Sequence, residues 1–93
     1  MSFLRIYEIL ATEDRRTQMR DTLADLADAV RAIDGCQSVE ILEDSDLPDR
    51  YLFIERWADR EAWSAGNPPK AVFQRLLAEA AGPPVMIGAF LSA

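Results

Sequence analysis

Two runs in this chain, Phe3–Ala11 (F-L-R-I-Y-E-I-L-A) and Arg50–Ala58 (R-Y-L-F-I-E-R-W-A), are strand-like and apolar on both faces. Aromatic, aliphatic and β-branched side chains favour the extended state, and the two-residue period of a strand sorts them onto faces. In the first run Phe3, Tyr7 and Ile9 share one side and Leu4, Ile6 and Leu10 the other, with Arg5 and Glu8 interrupting one face each. In the second, Tyr51, Phe53, Glu55 and Trp57 lie opposite Leu52 and Ile54. Strands of this kind have to be covered on both sides. The chain has 93 residues, a length at which only roughly 64% of the unfolded surface is buried on folding. That predicts one domain, residues 1–93, with one modest core. Its own helices can cover one side of a sheet, and the other side needs a partner.

The remaining segments supply those helices. Thr12 is placed to cap a helix, with Glu13 and Asp14 suiting its positive end. Met19, Leu23, Leu26, Val30 and Ile33 then form one apolar stripe at helical spacing, with Asp21, Asp25, Asp28 and Arg31 off it. Gly35 closes that helix as a left-handed cap. Gln37–Glu43 is a second strand with Val39 and Ile41 inward. The Asp-rich turn Asp44–Asp49, which carries Pro48, joins it to the third, so residues 37–58 make an antiparallel hairpin. Asp59 caps a short helical turn through Trp63, ended by Gly66 and Pro68-Pro69. Pro69 opens a further helix, Lys70–Ala81, buried through Val72, Phe73, Leu76 and Leu77. Gly82-Pro83-Pro84 breaks it, and Val85–Leu91 is the last strand. The order β-α-β-β-α-β is the split βαβ arrangement of ferredoxin-like α+β folds: one antiparallel four-stranded sheet with helices on one face. The bare apolar face left over predicts a homodimer formed by sheet-to-sheet packing.

Composition narrows the chemistry. The chain has no histidine, which excludes Ser-His-Asp and Cys-His nucleophiles, His-ligated zinc or iron, and a histidine ligand to haem. Acid–base work is left to carboxylates, tyrosines, Lys70 or the substrate. A net charge of −6 disfavours nucleic acid. No apolar run is long enough for a membrane span, and Met1-Ser2-Phe3-Leu4-Arg5 does not open a signal peptide. A single cysteine fits a reducing cytoplasm, and the arginine- and alanine-rich composition fits a bacterial source. There is no Gly-rich phosphate loop, CxxC pair, carboxylate–His cluster or Walker-type lysine, so no nucleotide, flavin or metal cofactor is expected.

Several short pieces, in order, carry a family likeness: Ala32-Ile33-Asp34-Gly35-Cys36, Ser38-Val39-Glu40-Ile41, Glu55-Arg56-Trp57-Ala58-Asp59-Arg60-Glu61-Ala62 and Phe73. With the element order, the chain resembles the antibiotic biosynthesis monooxygenase (ABM) family of dimeric α+β barrels. The resemblance implies a barrel of two four-stranded sheets and a pocket in each subunit between sheet and helices. Members include cofactor-independent monooxygenases of phenols and hydroquinones, haem-degrading enzymes and proteins of no known activity. Many carry a histidine just after the short helix, about where Gly66 stands here. Its absence argues against the haem-degrading branch and against a quinol oxidation routed through that histidine.

Glu55 is the foremost candidate for a catalytic group. A carboxylate amid Tyr51-Leu52-Phe53-Ile54-Glu55-Arg56-Trp57 is costly unless paired or hydrated. It is either a base of raised pKa for a phenolic substrate or the partner of Arg5 or Arg75 in a structural ion pair. Glu8 is a second candidate. Tyr7 and Tyr51 can supply or relay protons, or simply anchor their hydroxyls. Phe53 and Trp57 form an aromatic floor or ordinary core, Trp63 a lid or an anchor for its turn, and Phe73 a further substrate-binding wall. Asn67 can donate to a substrate carbonyl or start a turn. Cys36 is a small buried residue, and Arg15, Arg16 and Arg20 are a solvated basic face. The function expected is a cofactor-free monooxygenase-like enzyme acting on a small phenolic, hydroquinone or polyketide-type aromatic with O2, the reaction resting on the family resemblance. A non-catalytic dimeric barrel for a small hydrophobic ligand, or an isomerase or lyase of a small oxygenated metabolite, are the alternatives.

Overall fold

The computed structural model describes residues 1–93. The chain runs β1 (Phe3–Leu10), a 3-10 turn (Glu13–Arg15), α1 (Arg16–Arg31), β2 (Cys36–Glu43), β3 (Arg50–Trp57), α2 (Arg60–Ala65), α3 (Lys70–Glu79) and β4 (Val85–Leu91). The strands form one antiparallel sheet in the order β2-β3-β1-β4. This is the expected ferredoxin-like arrangement. The turn Gly66–Pro69 splits its second helical segment in two, because Pro68 and Pro69 remove two backbone donors. None of the helices is long and apolar enough to cross a membrane.

β3 shows why the core lies on one side of the sheet. Tyr51, Phe53, Glu55 and Trp57 are buried under the helices, and the residues between them are half-buried on the outer face. α1 lays Met19, Leu23, Leu26, Ala27 and Val30 on that inner surface, and α3 adds Leu76. Burying a side chain such as Leu23 or Met19 contributes roughly 1.5–3 kcal/mol. A polar clamp ties the two helices together. The buried Thr22 hydroxyl donates to the Glu79 carboxylate, 2.6 and 2.8 Å from its oxygens, and accepts from Arg75 Nη2 at 3.1 Å. Arg75 also meets Asp25 at 2.9 Å.

The structure corrects several expectations. Thr12 makes no side-chain cap; a 3-10 turn precedes α1 instead. Arg15 and Arg20 are solvated as expected, while Arg16 is half-buried; Arg16 and Arg20 also pair with Asp49 and Glu43, each at 2.7 Å, tying the start of α1 to the β2–β3 hairpin. Gly35 is left-handed, with φ +88°, but lies beyond the end of α1, in the tight turn that leads into β2. α3 stops at Glu79, where the chain turns extended and Ala80 bridges to Ala11. Phe73 and Leu77 are not buried: they are 41% and 44% exposed. Their helical stripe faces open space rather than packed side chains.

The outer face carries half-buried Leu4, Ile6, Leu52 and Ile54, flanked by the exposed Leu10, Leu42, Val85 and Phe90. Polar groups stand at its edges: Arg50 pairs with Glu8 at 2.6 Å and Asp44 at 2.9 Å, Arg56 lies opposite Leu4, and Glu40 lies opposite Ile54. The register of β4 on β1 shifts beside Tyr7, which pairs with Met86 while Ile6 pairs with Gly88. That bulge turns Met86 to the helix side.

Candidate functional site

A cleft of about 950 Å³ lies between the inner face of the sheet and the helices. This is the upper end of the range for small-molecule sites. Phe53, Glu55 and Trp57 of β3 form its floor with Tyr7 and Ile9 of β1. Leu26, Val30 and Ile33 make one wall, and Trp63, Asn67, Lys70, Phe73 and Leu77 the other. Pro83, Pro84 and Met86 edge the mouth. Short elements set this up. Asp59 caps α2 by accepting from the Ala62 N–H at 2.8 Å, which fixes the helix that carries Trp63. Gly66 ends α2 against the Trp57 ring, where a Cβ would stand 2.9 Å from Trp57 Cη2 and 3.0 Å from Ile33 Cγ2.

Glu55 is 8% exposed and forms no ion pair. Arg75, one expected partner, is taken by Asp25 and Thr22. Arg5, the other, is the cross-strand neighbour of Glu55 but does not close on it. The one hydrogen bond to the carboxylate comes from Trp57 Nε1–H, at 3.0 Å. Burial pushes the Glu55 pKa above the ordinary carboxylate value, and the Trp57 bond and the Arg5 charge pull it part of the way back. Such a group can hold or take a proton nearer neutral pH than a free carboxylate does.

Tyr7 adjoins it. Its hydroxyl accepts from Trp63 Nε1–H at 3.3 Å. Burial raises its pKa, the negative Glu55 raises it further, and Trp63 and Arg5 act the other way. The Trp63 ring tilts at 51° to Phe3, centroids 5.7 Å apart. Of the expected site residues, Glu55, Tyr7, Phe53, Trp57, Trp63, Asn67 and Phe73 all line the cleft. Tyr51 does not. It shares the inner face but sits near the start of β3, opposite Ile9 and Glu43, with its hydroxyl buried and without a partner. Glu8 is on the outer face with Arg50. Cys36 is half-buried beyond the cleft, its thiol pKa raised by burial and by the Glu55 charge.

Sequence reasoning missed the α1 wall, Ser64, Lys70, Gln74 and Met86 as cleft residues. Leu26, Val30 and Ile33 belong to the stripe expected to pack as core, and a stripe facing a cavity has the same period as one facing side chains. No three Cys, Asp or Glu side chains converge as a metal centre requires.

The family model for antibiotic biosynthesis monooxygenases matches residues 2–65. No curated protein sequence matches the chain. Among solved structures, Rv0793 from Mycobacterium tuberculosis superposes with a TM-score of 0.83 at 19% identity, over 100% of this chain and 96% of that one. A conserved protein from Methanosarcina mazei Go1 gives 0.86 at 10% identity, over 100% and 94%. A mutant of SnoaB, a cofactor-independent oxygenase from Streptomyces nogalater, gives 0.82 at 16% identity, over 98% and 92%. At these identities the likeness to solved structures is one of fold.

Proposed function

Because this chain belongs to the antibiotic biosynthesis monooxygenase family, we propose that it is a cofactor-independent oxygenase of a small phenolic or hydroquinone aromatic. The observation that carries this reading is Glu55, an unpaired carboxylate of raised pKa on the floor of an apolar cleft. The fold it shares with SnoaB, a cofactor-independent oxygenase, adds support.

The chemistry asks little of the protein. A flat substrate lies on Phe53 and Trp57, with Trp63 and Phe73 beside it, and its hydroxyl gives a proton to Glu55. The resulting phenolate passes one electron to O2, and the phenoxyl radical and superoxide combine at a ring carbon ortho or para to oxygen that still bears a hydrogen. The peroxide anion takes up a proton. Loss of the remaining ring C–H proton then forms the carbonyl as the O–O bond breaks and water leaves. The substrate has lost two hydrogens and gained one oxygen, and one O2 has become quinone oxygen and water. Tyr7 is placed to relay protons, and the apolar walls keep solvent from the radical pair.

The outer face supports a second copy of the chain as partner. Leu4, Ile6, Leu52 and Ile54 would pack on their counterparts and close two sheets into a barrel. Light scattering at micromolar concentration is expected to return the mass of two chains, and a monomer mass removes the barrel.

Oxygen uptake by metal-stripped protein over a panel of hydroquinones and polycyclic phenols tests the activity. Saturable uptake with quinone formation, insensitive to chelator, is the expected result, and Glu55→Gln is expected to lower its rate at least about tenfold in a folded dimer. Full activity in that variant removes Glu55 from the reaction. Turnover without oxygen would make the protein an isomerase or lyase, and a retained ligand without turnover would make it a binding barrel.

A further inference from the structure

Arg5 has no part in the reaction above, yet it stands across the β1–β3 ladder from Glu55. The chain has 16 acidic residues, and Arg5 pairs with none of them. Its Cζ instead lies 4.1 Å from the ring centroid of Trp63 and 5.9 Å from that of Phe3. Its Nε–H is buried with no hydrogen-bond partner. A guanidinium that forgoes carboxylates and leaves a donor unmade is held by an aromatic face. That face has a second duty, because Trp63 donates to the Tyr7 hydroxyl. Trp63, Tyr7 and Glu55 all line the cleft, and Arg5 lies behind them, outside its lining.

We propose that Arg5 is a positioning residue for this site, holding the Trp63 indole by its face and setting one positive charge beside the Glu55 carboxylate. The inference rests on Glu55 being the base. Around Glu55, β1 presents Arg5 and Tyr7, β2 presents Cys36, and β3 itself supplies Trp57. α2 brings Trp63, α3 brings Lys70 to the cleft, and α1 with the turn after it presents only Leu26, Val30 and Ile33 to it. Tyr7 and Cys36 are both raised in pKa and stay neutral around neutral pH. Among these groups Arg5 is the one cation whose charge favours the Glu55 anion. Without it burial acts less opposed, and the base holds its proton to higher pH.

Two variants separate the duties. Arg5→Met loses both charge and stacking. The acid limb of its kcat/KM profile is expected to move to higher pH, with the rate on that limb at least about fivefold below wild type and the alkaline plateau less affected. Arg5→Lys keeps the charge and loses the planar face; its limb is expected to stay in place while KM rises. An Arg5→Met limb that superposes on the wild-type one overturns the proposal. Should the protein prove not to be an oxygenase, carbon-13 NMR titration of the Glu55 carboxyl asks the same question without turnover. A midpoint displaced upward in Arg5→Met supports the role of Arg5 whatever the reaction, and an unmoved midpoint overturns it. Should Arg5→Met fail to fold, the wild-type Arg5 δ-protons decide. A ring-current upfield shift that disappears in Trp63→Leu supports the stack, and its absence in wild type overturns it.

Discussion

Glu55→Gln separates what the carboxylate does for chemistry from what it does to the fold. Glu55 is 8% exposed, and burial places its folded pKa above its unfolded one. In the window between the two values the folded state keeps a proton that the unfolded state has released. Stability therefore falls as pH rises through that window and stays reduced above it, by about 1.4 kcal/mol for each unit between the two values. Gln never ionises and escapes this cost. Its Oε1 can still accept from Trp57 Nε1–H, now 3.0 Å away, at about half the strength of a charged acceptor. That loss offsets part of the gain where Glu55 is ionised. At pH 4 wild-type Glu55 is itself neutral, so the two proteins should be close. The advantage of the variant should then grow toward pH 8, and each 1 kcal/mol of it would raise Tm by roughly 4–8 °C in a domain of this size. Urea unfolding of both proteins from pH 4 to 8, at one fixed protein concentration, measures the difference. Stability profiles that run parallel over the whole range would refute the claim that Glu55 is a desolvated carboxylate.

Three further perturbations test separate parts of the structure. Trp57→Phe keeps a ring on the cleft floor but removes the only hydrogen bond to Glu55, which for a charged acceptor stabilises the anion by about 1.5–3 kcal/mol. The Glu55 carboxyl should titrate higher, by NMR, and an unmoved midpoint would contradict the geometry. Gly35→Ala puts a Cβ on a residue at φ +88°, 2.5 Å from Ala62 Cβ. The left-handed backbone alone costs about 1–2 kcal/mol, and the urea midpoint should drop accordingly; an unchanged midpoint would show that the turn can relax. Ile54→Arg, on the outer face, should convert a dimer into monomers by light scattering with the circular-dichroism spectrum of the fold retained. A dimer that survives it would place the interface elsewhere.

The strands and helices were legible because each has its own hydrophobic period, and the period changes at Gly and Pro punctuation. β3 declared its inner face through Tyr51, Phe53, Glu55 and Trp57, and the carboxylate in that row lies on the floor of the cleft. What the row could not convey was where along it the cleft ends. Tyr51 has the same alternation as Phe53, yet it lies near the start of β3, outside the cleft. Phe73 and Leu77 show a related limit. Their spacing marks an apolar stripe, and apolar stripes face cavities and packed cores alike. Arg5 was expected to matter only as an ion-pair partner. The cation–π contact with Trp63 joins β1 to α2 across 58 positions of sequence, and no local pattern announces it.

Gly66 has a consequence for the carboxylate it never touches. A Cβ at this position would stand 2.9 Å from Trp57 Cη2 and 3.0 Å from Ile33 Cγ2, so any side chain there has to push the indole edge or the Ile33 methyl aside. The opposite end of the same indole makes the one hydrogen bond to Glu55. The bare position behind the cleft floor thus leaves the tryptophan free to settle where its N–H meets the carboxylate, and the setting of a buried acid on one strand is decided in part by a side chain missing from the loop after α2.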